Sequence, residues 1–151
     1  MCRQQALIEV PVETLWELVG DVRRHPEWWP RIIDVQCEEL EQGCTFRQVT
    51  KAAVGKVETD ILVERLEGCR ELQLRCLDTG TCSRWLLTST QAGTFVDVEL
   101  GMDPHNLPNR VFDAVAGRRY FRKWLAQSLE ALRQAAGERR DLAESGPPKP
   151  P

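Results

Sequence analysis

Few side chains in this chain are suited to chemistry. There are two histidines, His25 directly before Pro26 and His105 directly after Pro104. An imidazole can move protons near neutral pH, but both sit in turn-type segments, where contact with solvent is the plainer reading. There are six cysteines, Cys2, Cys37, Cys44, Cys69, Cys76 and Cys82, and no C-x-x-C pair among them. That spacing, with two histidines, does not make a zinc site, so neither a metal nor another cofactor is expected. The thiols read as small buried hydrophobes. Cys44 and Cys76 could face an interior cavity, and Cys37 and Cys44 could approach across a hairpin. No nucleophile elbow, metalloprotease helix, phosphate loop or dinucleotide fingerprint occurs. The sharpest anomaly is Arg118 and Arg122, two cations in the apolar stripe of a helix, just after Gly117. A buried unpaired cation is costly. Either Gly117 turns the pair out to solvent, or the pair meets a carboxylate, a water or the acidic or carbonyl end of a ligand.

The helix carrying those arginines is the longest periodic stretch. From Leu107 to Ala136, residues Ala114, Val115, Phe121, Leu125, Leu129, Leu132 and Ala136 recur on one side. Pro104 and Pro108 punctuate its start, Asn109 is a candidate N-cap, and Gly137 is its expected stop. Everything before it reads mostly as strands. Gln4 to Val10 alternates. Pro11 ends that strand and opens a short helix from Val12 to Val19, stopped at Gly20. Asp21 can cap a second short turn, and His25-Pro26-Glu27-Trp28-Trp29-Pro30 reads as a rigid, non-regular segment. Further strands follow at Ile32 to Glu38, Cys44 to Lys51, Gly55 to Leu66, around Leu72 to Cys76, Thr81 to Thr90 and Thr94 to Met102. Their expected inner faces include Ile33, Val35 and Cys37; Phe46; Val57, Thr59, Ile61, Val63 and Arg65; Trp85 and Leu87; and Val96, Val98 and Leu100.

The order predicts an α+β helix-grip fold. A seven-stranded, curved antiparallel sheet wraps around a long C-terminal helix, with two short helices between strands 1 and 2. A chain of 151 residues suits one domain, assigned to residues 1–137. Residues 138–151 read as a disordered Pro-rich tail. A net charge of −3 argues against nucleic acid as a partner. No apolar run reaches the roughly 20 residues of a membrane span, and no apolar leader follows Met1. A cytoplasmic protein is therefore expected, and nothing in the sequence points to a protein partner.

The run Ile8-Glu9-Val10-Pro11-Val12-Glu13-Thr14-Leu15-Trp16, then Asp21, then Pro26-Glu27-Trp28-Trp29-Pro30, resembles the opening of the SRPBCC (START-like, birch-pollen-allergen-like) superfamily. Within it, the chain looks most like the polyketide cyclase/dehydrase group. The resemblance implies a deep apolar cavity between sheet and terminal helix, with its entrance near the loops of the two short helices. The lining expected on that basis is Trp28, Phe46, Ile61, Trp85, Val98, Phe121 and Leu125, with Arg118 and Arg122 as a polar anchor. Rigid aromatic walls suit a planar or isoprenoid ligand. The expected function is binding of a small hydrophobic, lipid-, polyketide- or isoprenoid-like molecule, as carrier or sensor. The alternative is a polyketide aromatase/cyclase acting on a poly-β-keto chain. Cyclase chemistry needs acid–base groups in the cavity, and the inward candidates, Thr59, Arg65, Ser83, Arg118, Tyr120 and Arg122, are sparse.

Overall fold

A computed structural model describes residues 2–52, 54–102 and 112–145. Strand β1 (Cys2–Ile8) leads into α1 (Val12–Val19), a 3-10 turn (Val22–Arg24) and α2 (His25–Trp28). Six strands follow: β2 (Ile32–Gln36), β3 (Thr45–Lys51), β4 (Lys56–Glu67), β5 (Glu71–Cys76), β6 (Thr81–Thr90) and β7 (Gly93–Met102). Helix α3 (Phe112–Ser145) is the last described element. The sheet runs β1-β7-β6-β5-β4-β3-β2, antiparallel throughout, so only the β1–β7 pairing joins strands distant in sequence. Helix α3 packs on β1, β7 and α1, which gives the helix-grip arrangement. His105, and the expected start of the long helix at Leu107 with Pro104, Pro108 and Asn109, lie outside the described residues.

Alternation sets the core as expected on most strands. Leu72, Leu74, Trp85, Leu87, Val96, Val98 and Leu100 are buried on the inner face, opposite Leu125, Leu129, Leu132 and Ala136 of α3. Two strands depart from strict alternation. A bulge between Ile32 and Asp34 turns Ile32 inward and leaves Ile33 exposed, the reverse of the expected face. A second irregularity between Val63 and Arg65 sends Arg65 outward, where it meets Glu71 at 4.0 Å.

The segment after α1 is more ordered than a rigid non-regular stretch. His25–Trp28 forms one helical turn, and the Trp29 N–H donates to the His25 carbonyl at 2.8 Å. Pro26 is tolerated there because a helix's first N–H groups have no internal acceptor. Asp21 does cap the preceding turn, accepting from the Arg23 N–H at 3.1 Å. Gly20 stops α1 in an ordinary right-handed conformation, so positive φ is not its reason for being glycine. A Cβ at Gly20 would collide with the Trp16 ring, which lies over it.

Helix α3 runs through Gly137 to Ser145 rather than stopping at the glycine. A mid-helix glycine costs only about 1 kcal/mol relative to alanine, and tertiary contacts hold the extension. Arg139 reaches Glu17 of α1 at 2.6 Å, and Arg140 donates to the Glu9 carbonyl at 3.3 Å.

Candidate functional site: a cavity beneath the terminal helix

A cavity of about 400 Å³ opens between α3 and the β3–β6 part of the sheet. Four tryptophans cluster at its inner end, and two of them, Trp29 and Trp124, reach its wall. Trp28 and Trp29 leave α2 with their rings stacked, centroids 5.5 Å apart and planes 10° apart. Both meet the Trp85 ring edge to face, at 5.5 and 5.4 Å. Trp124 of α3 lies 6.0 Å from Trp29, and its Nε1 donates to the Pro30 carbonyl at 2.8 Å. That bond ties the grip helix to the α2 segment. Trp28 is fixed from behind, its Nε1 donating to the Leu18 carbonyl at 2.9 Å.

His25 sits under this cluster and is 0% exposed. Its Nε2 lies 2.8 Å from the Val19 carbonyl. A carbonyl can only accept, so Nε2 carries the proton and Nδ1 is the bare acceptor. Nδ1 is buried and has no hydrogen-bond partner among the described residues. Burial pushes the imidazole's pKa down to about 4, against weaker upward pulls from the Val19 carbonyl and Asp21. His25 is therefore a neutral packing residue and not the solvent-facing histidine that its neighbouring proline suggested. The α1 C-terminus presents a carbonyl that an imidazole N–H can satisfy, and the flanking indoles exclude water.

Of the residues expected to line the cavity, Ile61 and Phe121 are on its wall. Trp28, Phe46, Trp85, Val98 and Leu125 are buried core side chains and do not line it; Trp29 and Trp124 take the place of Trp28 and Trp85. Arg118 and Arg122 are exposed and bound a separate concavity of about 260 Å³ with Cys2, Arg3 and Gln4. Arg118 holds α3 against β1 through its backbone, its carbonyl facing the Cys2 thiol at 3.6 Å.

The wall has two characters. Trp29, Ile32, Ile61, Leu74, Leu100, Phe121 and Trp124 make it largely apolar. A polar band crosses it, made by Gln48, Thr50, Thr59 and Ser83. Gln48 and Thr59 are direct cross-strand partners, and the Gln48 amide donates to the Thr50 hydroxyl at 3.2 Å. Gln48, Thr59 and Ser83 are all buried. Alternation places Thr59 and Ser83 inward; Gln48 carries no such signal, because a glutamine at an inward position reads as a lapse in the pattern.

The rim combines exposed and half-buried groups from several elements: Arg31 after α2, Lys51 and Val57 at the β3–β4 hairpin, Thr79 and Thr81 at the β5–β6 turn, and Tyr120 of α3. Only the first of these lies by the short helices where the entrance was expected. Arg31 and Lys51 are the cations of the rim, and no Asp, Glu or His lines the cavity among the described residues. Arg31 has a φ of +76°, a left-handed conformation that is uncommon without glycine. Three contacts hold it: the Lys51 N–H donates to the Arg31 carbonyl at 2.7 Å, the guanidinium reaches back to the Lys51 carbonyl, and its Cζ lies 4.9 Å from the centre of the Tyr120 ring.

Among the described residues no three of His, Cys, Asp and Glu gather as metal ligands, and no disulfide joins any of the six cysteines. Burial raises the pKa of the Cys37 thiol. No helix among those residues is long and apolar enough to cross a membrane.

The fold and a cavity roofed by the terminal helix define a helix-grip protein. The chain belongs to the family described as polyketide cyclase/dehydrase and lipid transport, whose pattern matches residues 2–137. No curated protein matches it in sequence. Among solved structures, a protein from Nitrosomonas europaea superposes with a TM-score of 0.74 at 15% identity, over 93% of this chain and 96% of that one. A Bacillus halodurans protein gives 0.68 at 19% identity, over 89% and 94%. The di-domain ARO/CYC StfQ of the steffimycin biosynthetic pathway gives 0.73 at 17% identity, over 93% of this chain and 52% of that one. At these identities the likeness is one of fold.

Proposed function

We propose that the protein binds a small, mostly apolar molecule in the cavity beneath α3, as a carrier or sensor. The observation carrying this reading is the wall itself. Its volume of about 400 Å³ is in the range of small-molecule sites. Indole, phenyl and branched aliphatic surfaces dominate it, and the groups able to hydrogen-bond inside are chiefly the amide and hydroxyls of Gln48, Thr50, Thr59 and Ser83. Apolar burial then supplies most of the affinity, at about 25 cal/mol per Å², and the polar band orients oxygen-bearing groups. No carboxylate or imidazole among the described lining residues offers a base near neutral pH.

Trp29 and Trp124 stand on the wall, so their fluorescence reports occupancy. Titration with a naphthalene sulfonate and with linear alcohols should change the emission and saturate at one ligand per chain. Native mass spectrometry of the purified protein should show a co-purifying adduct. Folded protein that binds no apolar probe would overturn the reading.

The second reading, a polyketide aromatase/cyclase, is favoured by the polar band. Hydrogen-bonding groups on β3, β4 and β6, facing aromatic side chains, could hold successive carbonyls of a folded poly-β-keto chain. Tyr120 at the rim and Cys76 on the wall would be its proton carriers. Turnover of a poly-keto mimic tests it, because binding alone does not separate the two readings.

A further inference from the structure

We infer that Arg31 and Lys51 form an anion clamp at the cavity mouth, and that the ligand is an amphiphile with an anionic head at one end. The inference rests on the cavity-binding reading and specifies the head group of what is bound.

Three observations converge on the clamp. First, both cations sit where the apolar interior meets water, so a ligand with its body inside brings its last atoms to them. Second, neither has a carboxylate partner among the described residues. Many other arginines do, including Arg3 with Asp97, Arg75 with Glu64, Arg84 with Glu71 and Arg139 with Glu17. The Arg31 guanidinium spends its donors on the Lys51 carbonyl at 3.3 and 3.4 Å, long bonds that a carboxylate would readily displace. Third, Arg31 is held in a left-handed backbone conformation by its pairing with Lys51 and by the Tyr120 ring. Strain of this kind is kept where the surroundings over-determine it, and it clusters at ligand clamps. The Tyr120 ring keeps the guanidinium at the rim before a ligand arrives. The exposed pair Arg118 and Arg122 bounds a different concavity and is not on the wall of this one.

The test compares decanoate, decanol and decyl phosphate by tryptophan fluorescence, on the wild-type chain, Arg31→Gly and Lys51→Met. Glycine adopts positive φ without strain, so Arg31→Gly removes the guanidinium without threatening the fold. Wild-type protein should bind decanoate about tenfold or more tighter than decanol, the size of a charged hydrogen bond. Either substitution should shrink that gap by most of its value, decanoate losing far more affinity than decanol. Added salt should weaken decanoate alone. Equal affinity for decanoate and decanol, or a gap untouched by both substitutions, overturns the clamp while leaving the cavity reading intact. Decyl phosphate should show the same dependence on the two cations, and an affinity for it untouched by both substitutions overturns the clamp. If decanol and decanoate both fail to bind the folded chain, the cavity reading falls and takes the clamp with it.

Discussion

Acid should loosen this protein through a single imidazole. His25 is neutral in the folded state because no water reaches it, and its pKa there is about 4 instead of 6.5. In the unfolded chain the same ring takes up a proton below about pH 6.5. The unfolded state therefore binds more protons between those two values, and stability falls as pH falls. The His25 contribution is fully present above about pH 6.5, is lost progressively down to about pH 4, and changes no further below that. At 1.36 kcal/mol per pKa unit, the total loss is about 3 kcal/mol, a large share of a typical domain's stability. The control is His25→Phe, which keeps a flat ring against Trp28 and Trp29 but cannot titrate. It also strips the Val19 carbonyl of its donor, so it should start about 1–3 kcal/mol less stable at neutral pH. Urea unfolding at a series of pH values on both proteins isolates the imidazole, because carboxylates titrate alike in the two. The gap between them should close as pH drops from about 7 to about 4.5. A gap that stays constant would show that His25 is not the group responsible and would refute the derivation from burial.

Two further substitutions test the frame around the cavity. Leu132→Ala, at a fully buried position of α3, should cost about 2–5 kcal/mol in urea unfolding; a loss below about 1 kcal/mol would mean the grip helix is not seated on the sheet. Gly20→Ala places a methyl group against the Trp16 ring and should cost about 1–3 kcal/mol. Much of that should return in the double variant with Trp16→Leu, and additive losses would show that the collision does not set the cost.

Strand alternation and helix periodicity made the architecture legible, because both follow from which side of an element must avoid water. Val96, Val98 and Leu100, and Leu125, Leu129 and Leu132, could be assigned from spacing alone. The site was less legible for reasons that are local. The bulge at Ile32 shifts the register by one residue and exchanges the fates of Ile32 and Ile33. Trp28 and Trp29 are neighbours of identical type, and only the orientation of a single helical turn decides which reaches the cavity. The left-handed conformation of Arg31 has no signature without glycine or asparagine. Arg118 and Arg122 interrupt the apolar stripe in the sequence, yet the helix presents them to solvent. The burial of His25 has no local signal, because its acceptor, the Val19 carbonyl, comes into reach only when α1 ends and the chain turns back.

An open sheet of seven strands leaves two unpaired borders, β1 and β2. Such borders invite a second molecule to add its own strand, the first step toward fibres. Here β2 is only five residues long and is broken by the bulge beside Ile32. On β1, Arg3 and Gln5 project outward and are both engaged by Asp97. The bulge that turns Ile32 toward the cavity thus also makes this border a poor template for a regular ladder with a neighbouring chain, so one backbone irregularity shapes both the interior and the edge.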